Sequence, residues 1–239
     1  MSEVAPGIHR LGTEKVNWYL VEDAGRAVCV DAGLATYEGQ LEQAGRAPAE
    51  VEAVVLTHCD LDHVGMVPEF QRAGASVHVH PDDEERLRTG KQKKGERSLL
   101  PYLRRGTAVS LIAHFMRNGG VNAVKVEGAA TYADGETLDL PGRPRVIHTP
   151  GHTHGHCALF FEERGALFVG DLLNNRNPLT GRKGPQISPS AFNVDTAQCL
   201  ASLERIEQLD GSLVLFGHGD PWNGSPAEAV GLAREAGPS

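Results

Sequence analysis

Apolar and polar residues in the first part of the chain alternate at the two-residue period of β-strands. The segments GIHRL, VNWYLVE and RAVCVDAG follow one another closely, with a turn at EDAGR between the second and the third. This pattern predicts that a sheet begins with antiparallel strands. Helix-like and strand-like segments then alternate, with YEGQLEQAGR and VPEFQRAGA predicted as helices, and EAVVLTH and SVHVH as strands.

Residues 98–118 carry apolar side chains at helical spacing, which predicts one or two amphipathic helices that stop at Gly119 and Gly120. Five strands are predicted next, at NAVKVEG, ETLDL, RVIHT, CALFFEE and ALFVGD. A helix at VDTAQCLASLERIEQL, a strand at SLVLFGHG and a last helix from Pro226 complete the pattern. This order favours sheets in the middle of the fold and helices outside.

Four of the apolar runs end in clusters of polar residues. The runs at 53–56, 146–147, 166–169 and 213–216 lead into THCDLDH, HTPGHTHGH, GD and GHG. Function in sheets of the α/β type tends to lie in loops at strand ends, so these four ends are expected to converge on one site. Apart from His148, which ends the apolar run at 146–147, six of the eleven histidines fall in three of these clusters. The pooled side chains therefore predict a site for zinc or another transition metal.

The spacing within THCDLDH suggests two ions rather than one. His58 and Asp60 are two positions apart, so an extended segment points both side chains the same way and lets them share one ion. Asp62 and His63 follow where the chain turns into a helix, and they can face a second ion a few ångströms away. Cys59 alternates away from His58 and Asp60 and is expected to point into the core.

Charge and cysteine content narrow the classes of function. The net charge is −8, although residues 86–117 carry nine Lys or Arg and only one acid. A globally acidic chain argues against a dedicated nucleic-acid binder. The basic segment has two interpretations. It attracts anionic substrates and buries an acyl chain against Leu99, Leu103, Ile112, Phe115 and Met116, or it is an amphipathic helix with a solvated face. The four cysteines lie far apart and are expected to be free thiols.

No stretch of about 18 uncharged apolar residues occurs, and the start MSEVAPGIHRLG lacks the features of a signal peptide. We therefore expect a cytoplasmic protein without a stable membrane anchor. Its length of 239 residues fits one domain over 1–239, with a basic helical insert at about 86–120. The sequence leaves homodimer formation open.

These motifs resemble those of the metallo-β-lactamase-fold hydrolases, whose signature is H-x-H-x-D-H followed by a later His, an Asp and a final His. The segments DAG, TH, TPGHTHGH, FVGD and GHGDPW occur here in the order found in that family and span most of the chain. The resemblance implies an α+β fold, a four-layer αββα sandwich of two mixed sheets with helices on the outer faces.

The resemblance also implies a role for each site residue. His58 and His152 would bind the first metal, with Asp171 bridging to the second metal, which Asp62, His63 and His218 would bind. Asp60 departs from the family pattern because it stands where most members have a second histidine; we expect it to ligate the first metal. His154 and His156 are left outside the ligand set.

The expected activity is hydrolysis of an ester, lactone or thioester of a small molecule by a metal-bridging hydroxide, with Asp62 as the catalytic residue that orients it. Two divalent ions are expected. Zinc is favoured, while the carboxylate of Asp60 shifts preference towards iron or manganese. Two alternatives remain open: a di-iron redox protein acting on oxygen or nitric oxide, and a phosphodiester hydrolase. Beyond the apolar residues of the insert, the sequence does not indicate which residues bind the substrate.

Overall fold

The computed structural model describes residues 2–239. Its strands are β1 (Ser2–Ala5), β2 (Ile8–Gly12), β3 (Asn17–Asp23), β4 (Arg26–Val30), β5 (Ala53–Val55), β6 (Ser76–Val79), β7 (Ala130–Thr131), β8 (Arg145–His148), β9 (Cys157–Phe161), β10 (Ala166–Phe168), β11 (Leu173–Arg176), β12 (Lys183–Ile187), β13 (Leu213–Leu215) and β14 (Trp222–Asn223). Its α-helices are α1 (Gly39–Gln43), α2 (Leu61–Val64), α3 (Val67–Arg72), α4 (Pro81–Thr89), α5 (Gly106–Arg117), α6 (Thr196–Ser202), α7 (Glu204–Glu207) and α8 (Pro226–Ala236).

Two mixed sheets form the centre of the fold. One has seven strands in the order β1-β2-β3-β4-β5-β6-β7, and the other has five in the order β14-β13-β10-β9-β8. Strands β1 to β4 are antiparallel, as the sequence predicts, and β4 to β7 run parallel. In the second sheet β10 and β13 are parallel. Strands β11 and β12 form a separate hairpin.

Side chains that alternate along the strands divide the interior into layers. In β3, Trp18 packs into a core with residues of α1 to α4, whereas its neighbour Tyr19 packs between the two sheets. In β9, Leu159 lies in the layer between the sheets, and Phe160 packs with residues of α6 to α8. Because successive side chains of a strand point to opposite faces, these contacts place helices outside both sheets. The predicted αββα sandwich is confirmed.

Several elements differ from the sequence-based expectation. NAVKVEG is not a strand: Val126 is buried, but its backbone N–H donates to Leu87 O at the end of α4 rather than to a neighbouring strand. ETLDL forms only the isolated bridge between Thr137 and Arg145. Helix α4 and the β11–β12 hairpin were not predicted. Alternating apolar residues favour a strand, but a strand also needs a hydrogen-bonding partner.

The segment 98–118 contains a 3₁₀ turn at Leu100–Arg104 and helix α5, in agreement with the prediction of one or two amphipathic helices. Within residues 2–239, no helix is both long enough and apolar enough to cross a bilayer.

Candidate metal centre

The four strand ends that the sequence predicts to converge, those of β5, β8, β10 and β13, carry residues that lie at one site, and the end of β4 joins them. Asp31 directly follows β4, and Thr57 and His58 come shortly after β5, which is parallel to β4. Asp171 and His218 each lie three residues beyond the ends of the parallel strands β10 and β13. Parallel strands point their carboxyl ends the same way, so the loops that follow them share one edge.

Six of the seven predicted ligands form two groups in which the candidate donor atoms all lie within 4.8 Å of one another. The groups are His58, His152 and Asp171, named here the first group, and Asp62, His63 and His218, named the second group. Asp171 stands between them, with Oδ2 3.6 Å from His152 Nε2 and Oδ1 3.6 Å from His63 Nε2. Asp171 Oδ2 is also 3.0 Å from His218 Nε2. This position suits the predicted bridging role.

The hydrogen bonds of the histidines suit metal binding. His152 Nδ1 donates to Asn193 Oδ1 at 3.0 Å, His63 Nδ1 donates to Asp31 Oδ2 at 2.8 Å, and His218 Nδ1 donates to the carbonyl of Lys15. A hydrogen on Nδ1 leaves the Nε2 lone pair free to bind a metal. His58 Nε2, His63 Nε2 and Asp171 Oδ1 are buried without a hydrogen-bond partner among the described residues.

Buried donors and acceptors without partners are costly and rare in proteins. Three such atoms converge here, and each belongs to a side chain with the nitrogen or oxygen donors that zinc and similar ions bind. The described residues therefore fit a pair of divalent metal ions. Whether each residue ligates, and whether Asp62 acts in catalysis, remain predictions from the sequence.

Asp31 supports both groups through hydrogen bonds. Its carboxylate accepts hydrogen bonds from the Thr57 backbone N–H at 2.8 Å, from Thr57 Oγ1 and from His63 Nδ1. Because the Thr57 hydroxyl donates to Asp31, its oxygen accepts from His58 Nδ1 at 2.9 Å. One carboxylate thus sets the orientation of a histidine in each group. The sequence analysis noted the DAG motif but did not assign this role to Asp31.

Electrostatics differ sharply between neighbouring histidines. Burial lowers the pKa of His63, but Asp31, Asp62 and Asp171 outweigh it and raise the pKa to about 10. Burial also lowers the pKa of His218, but nearby carboxylates, mainly Asp171, outweigh it and raise the pKa to about 9. Burial and the nearby histidines hold the pKa of His58 well below 6.5. In the metal-free protein the second group therefore holds protons that a metal ion must displace.

Asp60 has an environment that the sequence did not predict. Its Oδ2 is 3.1 Å from His152 Nε2 and 3.8 Å from His58 Nε2, which places it beside the first group. Arg86 Nη2 lies 2.7 Å from Oδ1, and Lys93 Nζ lies 2.5 Å from Oδ2. Burial alone would raise the pKa of Asp60, but Lys93 and the two histidines hold it well below 3.8. Ligation by Asp60 stays a prediction.

Other side chains that the sequence raised have structural roles. His156 Nε2 accepts a hydrogen bond from the Asp171 backbone N–H at 3.1 Å, so this histidine positions Asp171. His154 is exposed. Cys59 lies in the core against the helices, as predicted, and all four cysteines are free and buried. Of the nine basic residues in 86–117, only Arg86 and Lys93 turn towards the site, and the other seven are exposed.

A cavity of about 420 Å³ opens onto both groups. Its polar end includes Asp60, Asp62, His152, Asp171 and His218, together with Lys93. Its other wall is apolar and comes from the insert and from residues near Ala191. The apolar lining is Leu61, Leu99, Tyr102, Leu103, Ala108, Leu111, Ile112, Phe115, Val121, Leu179, Ala191 and Phe192. The sequence suggested Leu99, Leu103, Ile112 and Phe115 as contacts for an acyl chain, and all four line this cavity, whereas Met116, also suggested, does not.

Known proteins show the same combination of fold and motifs. The family model described as the metallo-beta-lactamase superfamily matches residues 11–218. A probable metallo-hydrolase, YflN of Bacillus subtilis, is 26% identical over 93% of this chain and 87% of its own length. A hydroxyacylglutathione hydrolase of Xylella fastidiosa is 28% identical over 80% of this chain. The aligned part is only 54% of that enzyme's length.

The architecture is also found in solved structures. A metallo-beta-lactamase family protein from Thermus thermophilus superimposes with a TM-score of 0.68 and 26% identity, covering 98% of this chain and 80% of that one. The match therefore extends well beyond the metal-binding motifs. The chain belongs to the metallo-beta-lactamase superfamily and is a metallo-hydrolase.

Proposed function

We propose that the chain hydrolyses an ester, lactone or thioester bond in a small molecule that has an apolar acyl group. Two divalent ions, preferably zinc, would be held by the first and second groups. The observation that carries this proposal is the cavity, whose apolar wall ends directly at the candidate ligands. An acyl chain on that wall would present its carbonyl carbon to the centre, and burying the chain would provide binding energy.

The metal ions, Asp62 and Asp171 would have different roles in the reaction. When bound, the ions would supply Lewis acidity and lower the pKa of water to about 7. Asp62 is buried, lies on the wall of the cavity, and has Oδ2 3.6 Å from His218 Nε2. Its carboxylate would orient the attacking water and carry a proton towards the leaving group. Asp171, whose backbone N–H donates to His156, would hold the two groups at a fixed distance from each other.

The relatives support an acyl bond as the substrate. The Xylella enzyme is named for hydrolysis of hydroxyacylglutathione, which is a thioester. Because this chain spans about half of that enzyme, we take over only the class of bond and not the glutathione group. A small molecule rather than a nucleic acid is the proposed partner, consistent with the net charge of −8.

Two observations favour hydrolysis of acyl bonds over the phosphodiester and di-iron alternatives. A phosphodiester is anionic, whereas much of the cavity wall is apolar. The di-iron alternative depends on Asp60 as an additional hard carboxylate ligand. Arg86 and Lys93 each pair with one oxygen of Asp60 and reduce its availability for that role.

The chain-length dependence of hydrolysis tests the proposal. Ile112 lines the cavity, and Val109 lies exposed on the same helix without lining it. With the zinc-reconstituted protein, we expect kcat/KM to rise with acyl length across aryl esters and thioesters. Ile112→Ser should lower kcat/KM for long acyl groups by about tenfold, because a few buried methyl and methylene groups contribute about 1–3 kcal/mol.

Acetyl substrates should respond little to Ile112→Ser, and Val109→Ser should behave as the unmodified protein with every substrate. Elemental analysis of the purified protein would identify the metal. Hydrolysis of phosphodiesters but of no acyl substrate, with the metal sites filled, would contradict the proposal.

A further inference from the structure

Lys93 is a buried cation in direct contact with the candidate metal centre. Its side chain is only 10% exposed, and Nζ lies 2.5 Å from Asp60 Oδ2. Within residues 2–239 this carboxylate is the only ion-pair partner of the ammonium group. Arg86 occupies the other oxygen, at 2.7 Å. Both oxygens of Asp60 are therefore already paired with cationic side chains of the protein.

The loop that carries Lys93 is anchored at defined points. The backbone N–H of Glu96 donates to Asn193 O at 2.7 Å, and Glu96 Oε2 accepts from the Thr196 backbone N–H at 2.9 Å. At Gly95 the two loops approach so closely that a Cβ atom would lie 2.0 Å from Ala191 O. Asn193 also accepts the hydrogen bond from His152 Nδ1. Asn193 therefore contacts both the loop that carries Lys93, through its backbone carbonyl, and the predicted ligand His152, through its side chain.

Lys93 and an ion at the first group compete for the same atom. Asp60 Oδ2, which faces Lys93, is also the oxygen nearest to His152 and His58. A metal ion using that oxygen has to share it with the ammonium group or displace it, and two positive charges at such short distance repel. The second group differs, since within residues 2–239 the ion-pair contacts of Asp62 are only to His63 and His218.

We propose that Lys93 makes the two metal sites unequal, so that the second group fills first and the first group fills only at higher metal concentration. The proposal builds on the metal-dependent function above, and it adds a means by which metal supply sets the fraction of fully loaded protein. Lys93 acts here as a positioning residue: it holds Asp60 and excludes a competing cation, without contact to a reacting bond.

Metal titration of the apoprotein tests this directly, without an activity assay. Cobalt(II) or zinc binding would be followed by calorimetry and by equilibrium dialysis. The unmodified protein should bind one equivalent tightly and a second at least about tenfold more weakly, about 1.4 kcal/mol. Lys93→Met should strengthen the weak event by about tenfold or more and leave the tight event unchanged. Lys94→Met, an exposed lysine in the same loop, should bind metal as the unmodified protein does.

Further variants show which binding event belongs to which group and whether the charge of Lys93 matters. His58→Ala should abolish the weak event and keep the tight one, and Lys93→Arg should retain the inequality because it keeps the charge. If Lys93→Met fails to fold, as judged by circular dichroism, Lys93→Gln replaces it.

Two equal binding events in the unmodified protein would overturn the proposal, as would a Lys93→Met variant whose weak event is unchanged or weaker. Either result would leave the hydrolysis proposal intact, and an absence of acyl hydrolysis would leave the titration result standing.

Discussion

The two sides of the candidate metal centre are held by different kinds of structure. His58 and His63 are oriented through Asp31, which lies buried at the end of β4 and receives hydrogen bonds from Thr57 and His63. Asp60 and His152 instead depend on loops, which supply Lys93 and Asn193. We refer to these as the Asp31-supported side and the loop-supported side.

The difference indicates where the properties of this centre are set. On the Asp31-supported side the contacts come from residues next to strand ends, so the geometry follows from the sheet itself. On the loop-supported side they come from segments distant in sequence, such as the loop containing Lys93. Changes in those loops can alter metal affinity without disturbing the sheets.

The pH dependence of the metal-free protein should give the largest effect. Protons on His63 and His218, whose pKa values are raised from 6.5 to about 10 and about 9, stabilise the fold below pH 6.5, and this stability is lost as pH rises through 9 and 10. His58 and His156 have pKa values well below 6.5. As pH falls below 6.5, the unfolded state therefore gains protons first, and the fold loses stability. Stability should therefore peak near neutral pH.

Chemical denaturation of chelator-treated protein from about pH 5 to about pH 10 would measure this peak, with an alkaline loss on the order of a few kcal/mol. The zinc-loaded protein is the control, because metal at Nε2 replaces the stabilising protons and should remove the alkaline loss. A stability that rises steadily to alkaline pH in the metal-free protein would contradict the electrostatic difference between His58 and His63.

Asp31→Asn should give the next largest effect, on the Asp31-supported side. Asp31 has a positive φ of 60°, a conformation that Asn tolerates, so the substitution removes charge with little backbone strain. The amide is a weaker acceptor for His63 Nδ1, and loss of such a supporting contact lowers metal affinity by about 10–100-fold. Isothermal titration would measure both binding events, with Asp23→Asn on the protein surface as the control. An unchanged affinity would show that Asp31 does not support the ligands.

Gly95→Ala should give the smallest effect on metal binding, on the loop-supported side. The added Cβ would collide with Ala191 O, and accommodating it should lower the free energy of unfolding by about 1–3 kcal/mol. Gly106→Ala is the matched control, because open space surrounds that position in the insert. In Gly95→Ala the weaker metal-binding event should change while the tighter one persists. A shift of the tighter event alone would mean that the two sides do not respond separately.

The sequence predicted those features of the centre that depend on local pattern. His58, Asp60, Asp62 and His63 lie within one short segment after a buried strand, so alternation and the turn into a helix indicated where they would point. The layers followed from strand and helix order. His152, Asp171 and His218 came from their resemblance to a known family, since nothing local links such distant residues.

Long-range contacts could not be predicted in the same way. Lys93 is one of nine basic residues in 86–117, seven of which are exposed, and only the fold of the loop turns it inward. Asn193 has no motif that distinguishes it from other asparagines. The strand prediction at NAVKVEG was wrong for a related reason, because Val126 pairs with the end of a helix rather than with another strand.

The carboxylate of Asp31 fixes the tautomers of His58 and His63, so the first and second groups cannot evolve independently at this position. A mutation at Asp31 would alter a nitrogen donor in each group at once, through Thr57 in one case and directly in the other. Selection therefore cannot tune one group through this residue while leaving the other unchanged. A change confined to one group has to come from other positions, such as Asp60 and Lys93.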